Sequence, residues 1–165
     1  MRSQPLLAPE RLTPAGDDRL LAGIERFIRD YHPRLCEDDL QEIILGTMES
    51  SEKHKVDPRL ITSLIAAESG FQKTAVSRMG ARGLTQLMPD KIIGFDWRDI
   101  RPNIERGTAY LRKMLDRFNS VSLALAAYNA GPTRIATGRE WPRETRYYVQ
   151  RVLANYEELL AVTVY

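Results

Sequence analysis

From Asp18 onward, apolar residues recur at intervals of three and four, and nowhere do they alternate convincingly at intervals of two. That periodicity belongs to amphipathic helices and confines the chain to an all-α fold class. Leu20, Leu21, Ile24, Phe27 and Ile28 define a first helix, which Pro33 ends. A second runs from about Asp38, with Leu40, Ile43, Ile44, Thr47 and Met48 on one face. Asp57-Pro58 starts a third, because Asp caps well and Pro suits the first helical position, and Gly70 stops it. Residues 71–102 are rich in Gly and Pro and predict a loop with short helical pieces. Asn103 is the expected cap of a helix carrying Ile104, Tyr110, Leu111, Met114, Leu115 and Phe118. Ser120 is the expected cap of the next, which ends at Gly131-Pro132. The last helix starts near Pro142 and runs through Tyr148, Val152 and Tyr156.

The 165 residues fit one domain over 18–165, preceded by a tail over 1–17 that carries Pro5, Pro9 and Pro14. The lone Cys36 excludes an intramolecular disulfide and any multi-cysteine zinc site. His32 and His54 stand apart from one another and read as surface residues, so neither a metal nor a cofactor is expected. No apolar run approaches the roughly 20 residues of a transmembrane helix. The opening MRSQPLLAPE lacks an apolar core and is not an intact signal peptide; a trimmed secreted protein and a cytosolic start both remain open. A net charge of +2 does not by itself point to nucleic acid. Residues 1–55 carry 8 basic and 11 acidic side chains, whereas residues 56–165 carry 16 and 11. Arginine supplies 19 of the 24 basic residues, which suits carboxylate or phosphate and allows a moderately anionic partner without demanding one.

Glu68 is the most informative residue. It continues the apolar stripe of Leu60, Ile61, Leu64 and Ile65, and its helical neighbours Leu64, Ile65, Phe71 and Gln72 include no cation. It also falls in the last turn of its helix, at the negative end of the dipole. Apolar surroundings and dipole both disfavour a carboxylate, so a raised pKa is expected, as a general acid requires. The bland alternative is a glutamate that reaches water from a frayed helix end.

The following loop offers Ser77, Arg78, Gly80, Ala81, Gly83, Thr85, Gln86, Met88 and Pro89. Neutral hydrogen-bonding groups on a backbone that glycine lets approach a ligand suit the hydroxyl and acetamido groups of a sugar. Tyr128 and Asn129 combine an apolar ring with polar tips at a helix end. Glu144 and Arg146 read as structural partners rather than catalysts.

These stretches together resemble the lysozyme-like lytic transglycosylases of the soluble (SLT) type. The motifs are, in order, Glu68-Ser69-Gly70-Phe71, Gly80 to Pro89 (GARGLTQLMP), Ala127 to Pro132 (AYNAGP) and Glu144 to Val149 (ETRYYV). The resemblance spans about Leu40 to Leu160. It implies a lysozyme-like helical domain with a central catalytic helix and a substrate cleft. It makes Glu68 the acid/base and places Ser77, Gln86, Met88, Tyr128, Asn129 and Tyr148 along the cleft. It further implies cleavage of the β-1,4 bond between N-acetylmuramic acid and N-acetylglucosamine in peptidoglycan, with a 1,6-anhydro ring left behind. A periplasmic or other cell-envelope location follows from that substrate. The acidic front segment is then either a docking face for an envelope or secretion-machine partner or simply a solvated surface. Thr85 stands where the family usually has Met, and the stretch from Asp90 to Pro102 is shorter than usual; both bear on one wall of the cleft.

Three other readings stay open. A hydrolytic lysozyme wants a second carboxylate, for which Asp90, Asp96 and Asp99 are candidates. A helix-turn-helix could use Ala66, Gly70 and Val76, with Lys73 and Arg78 on phosphates, although Gly80, Gly83 and Pro89 disfavour its recognition helix. A glycan-binding protein with a dead site is the third.

Overall fold

The computed structural model describes residues 14–163. Seven α-helices account for the regular structure: α1 (Pro14–Tyr31), α2 (Glu37–His54), α3 (Pro58–Ser69), α4 (Ile100–Phe118), α5 (Val121–Ala130), α6 (Pro132–Ala136) and α7 (Arg143–Thr163). A single 3-10 turn, Pro89–Lys91, interrupts the long loop between α3 and α4. The tail expected over 1–17 lies outside the described residues as far as residue 13, and the last four of its residues begin α1. The five-residue α6 was not expected; Pro132 opens it directly after Gly131.

α3 is the axis of the fold. Ten of its twelve residues are buried, and α1, α2 and α7 pack around it. Its buried polar residues satisfy themselves within the helix: Thr62, Ser63 and Ser69 donate to the carbonyls of Pro58, Arg59 and Ile65. That arrangement lets a helix be buried on every side without orphaned hydroxyls. Its start is held as expected, with the Asp57 side chain accepting from the Arg59 N–H at 2.9 Å and Pro58 in the first turn. Tyr156 of α7 donates to the same carboxylate at 2.8 Å, which ties the last helix to the base of the central one. At the other end, Gly70 takes a φ of 58° and returns its N–H to the Ala66 carbonyl. Phe71 follows at a φ of 66°, an unusual conformation for a bulky residue, held between the rings of Phe27 and Tyr31.

Asn103 does not cap α4. The helix begins at Ile100 after Asp99, and Pro102 is tolerated because it stands in the first turn, where N–H groups lack helical partners. Asn103 is instead fully buried inside the helix and faces the loop. The two histidines are not isolated either. His32 Nδ1 meets the Gly70 carbonyl at 2.9 Å, and His54 Nε2 meets Glu105 at 2.8 Å. Residues 71–88 contain no helix, which removes the recognition helix that a helix-turn-helix needs.

Candidate active site

Glu68 is carried on the one outward-turned position near the end of α3, and it is only partly exposed, among Ala67, Tyr128 and Tyr148. Burial pushes its carboxyl up to about 7, well above an ordinary glutamate. Two groups pull the other way. The Tyr148 hydroxyl favours the ionised carboxyl, and the charge of Arg151 does the same.

Arg151 corrects the expectation that no cation attends Glu68. It comes from α7, and its guanidinium donates to the Ala67 carbonyl at 2.6 Å, at the C-terminal end of α3. A cation there offsets the negative end of the helix dipole. Helical neighbours on α3 alone could not reveal it. Its place three residues after Tyr148, on the same face of α7, was the available signal.

Glu68 lies in an open groove of about 1180 Å³. The seven residues that the family resemblance assigns to the site all line it: Glu68, Ser77, Gln86, Met88, Tyr128, Asn129 and Tyr148. Their hydrogen bonds divide them into groups that hold the groove and groups that face it. Tyr128 is buried and donates to the Thr85 carbonyl at 2.8 Å, so its hydroxyl proton is already committed. Gln86, at a φ of 50°, donates its amide to the carbonyls of Gly83 at 2.9 Å and Ala75 at 3.1 Å. Ser77 Oγ accepts from the Ala81 N–H at 3.0 Å and closes the turn whose tip is Met79. Asn129 is exposed; its Oδ1 accepts from Thr145 at 2.9 Å, which turns its amide nitrogen into the donor left for a ligand. Thr145, the buried middle residue of the ETR motif, was missed as a positioning group. The Tyr148 hydroxyl is buried and makes no hydrogen bond of good geometry, although it stands close enough to Glu68 to act on its charge.

Thr85 does not shape the cleft wall. It is buried, and its N–H and Oγ1 reach the Asn103 Oδ1 at 2.9 and 2.8 Å. Asn103 Nδ2 donates onward to the Trp97 carbonyl at 3.1 Å. Two glycines make room for this cluster. A Cβ on Gly107 would stand 2.4 Å from Thr85 Oγ1, and one on Gly83 would stand 2.3 Å from Asn103 Nδ2. Threonine at this position is therefore matched to Asn103 and Gly107 beneath the loop.

The loop aspartates are not part of the groove lining. Asp90 pairs with Lys91 at 3.0 Å, Asp96 pairs with Arg98 at 2.8 Å, and Asp99 precedes α4. Glu144, expected to be a structural partner, instead lines the groove, exposed and without an ion pair among the described residues. Arg146 does hold a structural partner, Glu140.

The transglycosylase SLT domain family matches residues 47–149. The transglycosylase of Enterobacteria phage PRD1 is 36% identical over 109 residues, covering 64% of this chain and 40% of that protein. Membrane-bound lytic murein transglycosylase F 1 of Alkalilimnicola ehrlichii is 32% identical over 125 residues, covering 68% and 25%. The chain thus spans less than half the length of either relative. Among solved structures, an inactive mutant of lytic transglycosylase Slt from Pseudomonas aeruginosa superposes with a TM-score of 0.63 at 28% identity, covering 71% of this chain and 24% of that one. The 70 kDa soluble lytic transglycosylase SLT70 of Escherichia coli superposes at 0.65 and 20% identity, covering 93% and 31%, and shares the all-α, lysozyme-like fold. The family motifs, the helical architecture and the groove around Glu68 converge, and the chain belongs to the transglycosylase SLT domain family.

Proposed function

We propose that the chain is a peptidoglycan lytic transglycosylase that works with one carboxyl group. It cleaves the β-1,4 bond between N-acetylmuramic acid and N-acetylglucosamine. The observation that carries this reading is a single partly buried glutamate, with a pKa near 7, in a groove lined by sugar-compatible groups. Protonated Glu68 gives its proton to the glycosidic oxygen as the C1–O bond breaks, and the acetamido oxygen of the muramic residue shields the anomeric carbon. The resulting carboxylate then removes the proton from the C6 hydroxyl, whose oxygen bonds to C1 and closes the anhydro ring. The two roles need a carboxyl that is neither a strong nor a very weak acid. Burial supplies the protonated form, and Tyr148 and Arg151 steady the ionised one. The Asn129 amide nitrogen, whose partner oxygen is taken by Thr145, serves as the donor to the acetamido group. A one-glutamate mechanism is in keeping with the Pseudomonas neighbour, an inactive mutant in which a glutamate is changed to glutamine. Such a substrate lies in the cell envelope, outside the cytoplasm, and the name of the membrane-bound relative from Alkalilimnicola ehrlichii supports action there.

Glu144 keeps a hydrolytic reading in play, because it is a second carboxylate on the groove. Digestion of purified sacculi followed by mass analysis of the products separates the two. Anhydro ends are expected, with turnover lost in Glu68→Gln; reducing ends that disappear in Glu144→Gln would establish hydrolysis instead.

A further inference from the structure

A second cavity, of about 590 Å³, opens between residues 130 and 140, and no part of the mechanism above uses it. It flanks the catalytic groove along the chain. Asn129 lines the groove and Ala130 the cavity; Glu140 lines the cavity and Arg143 the groove. Its charged lining is Arg134, Arg139 and Glu140. Glu140 is taken by Arg146, whereas Arg134 and Arg139 make no ion pair among the described residues. This contrasts with Arg29, Arg98, Arg101 and Arg112, each of which holds a carboxylate.

The segment that bears the two arginines is fixed. Ile135 between them is buried in the core. Thr137 Oγ1 donates to the Arg134 carbonyl at 2.7 Å, and the Gly138 N–H returns to the Ile135 carbonyl at 3.1 Å. Gly138 takes a φ of 68°, which turns the chain so that Arg139 comes back to the same cavity. Two guanidinium groups with no ion pair among the described residues, on a hydrogen-bonded turn that adjoins the groove along the chain, suit carboxylates.

We propose that this cavity binds the carboxylates of the stem peptide attached to the muramic residue, so that the chain reads peptide-bearing strands in preference to bare glycan. The proposal rests on the peptidoglycan reading of the adjacent groove. A stem peptide rises at roughly 3.3 Å per residue when extended, enough to leave the groove and reach a flanking cavity. The carboxylates would be held bidentately by Arg134 and Arg139, with Thr133 and Thr137 at the rim.

The test is a binding measurement on Glu68→Gln protein, which separates recognition from turnover. Calorimetric affinity is compared for peptide-bearing strands and for strands stripped by an amidase, which keep only the lactyl carboxylate. Peptide-bearing strands should bind roughly three- to tenfold more tightly, a difference that salt weakens. Adding Arg134→Ala and Arg139→Ala should abolish the difference. Adding Arg26→Ala and Arg117→Ala, the same loss of charge at residues that line neither the cavity nor the groove, should preserve it. Equal binding of both strands, or a preference that survives loss of Arg134 and Arg139, overturns the proposal. Equal weakening on both strands by the Arg134 and Arg139 substitutions also overturns it, because the cavity would then read the lactyl group. Failure of the peptidoglycan reading itself shows differently, as no binding to either strand and no sacculus cleavage by the unaltered protein.

Discussion

The Tyr148 hydroxyl, on α7, is buried beside the Glu68 carboxyl, on α3, and favours its ionised form without a hydrogen bond of good geometry elsewhere to occupy it. A buried hydroxyl left in that condition costs free energy unless something repays it. In the proposed mechanism the return comes during turnover, when Glu68 has lost its proton. Tyr148→Phe should therefore leave stability nearly unchanged but lower kcat roughly 10- to 100-fold. It should also move the alkaline limb of the pH–rate profile to higher pH, by on the order of half a unit. Sacculus-clearing rates across pH 5 to 9 check both outcomes.

The raised pKa of Glu68 has a cost in stability whose sign follows from proton binding. Between an ordinary carboxyl value of 4.5 and about 7, the folded chain holds a proton that the unfolded chain has released. Stability from this group is therefore complete below the lower value and is lost as pH rises through the upper one. Glu68→Gln, which cannot ionise, should match the unaltered protein near pH 4.5. It should exceed it at pH 8 by on the order of 2–3 kcal/mol. Urea unfolding at the two pH values measures the difference.

Arg151 contributes charge at the same carboxyl and holds the last turn of α3 through the Ala67 carbonyl. Arg151→Met should raise the Glu68 pKa further and destabilise the fold by about 1–2 kcal/mol, through the lost charge-assisted bond. Arg151→Lys restores the charge but not the forked donor, and should rescue the pH profile more than the stability. Thermal melts paired with pH–rate profiles distinguish the two contributions.

The cluster under the substrate loop predicts a different pattern. Asn103→Ala leaves the Thr85 N–H buried without its acceptor and the Thr85 hydroxyl with only the backbone carbonyl of residue 103, at 3.1 Å, and should cost about 1–3 kcal/mol. Gly107→Ala drives a methyl into Thr85 Oγ1 and should cost about 1–3 kcal/mol. Both should loosen Tyr128, whose hydroxyl rests on the Thr85 carbonyl, and raise KM before they abolish turnover. Chemical denaturation and steady-state kinetics check the pair.

Local patterns carried much of this structure into the sequence. The caps at Asp57, Gly70 and Ser120 are local events and are found where the residue types predict them. The place of Glu68 on the groove was legible because a charge on an apolar stripe conflicts with its surroundings, and such a conflict directs attention to a candidate site. Arg151 and Asn103 were not legible in the same way. Their partners, Ala67 and Thr85, lie 84 and 18 residues away, and no helical period relates them. Asn103 misled because asparagine serves equally well as a cap and as a buried bridge between two backbone segments. Thr85 was read as bearing on the cleft wall because it stands where the family usually has Met; it is buried against Asn103 instead, while its neighbour Gln86 lines the groove.

The central claim is that Glu68 holds its proton close to neutral pH before any glycan is bound. Carbon-detected NMR titration of the glutamate carboxyls in the unliganded protein measures this directly, with Glu68→Gln identifying the resonance. A midpoint near 7 is predicted; a midpoint near 4.5, like a freely solvated glutamate, would contradict the account.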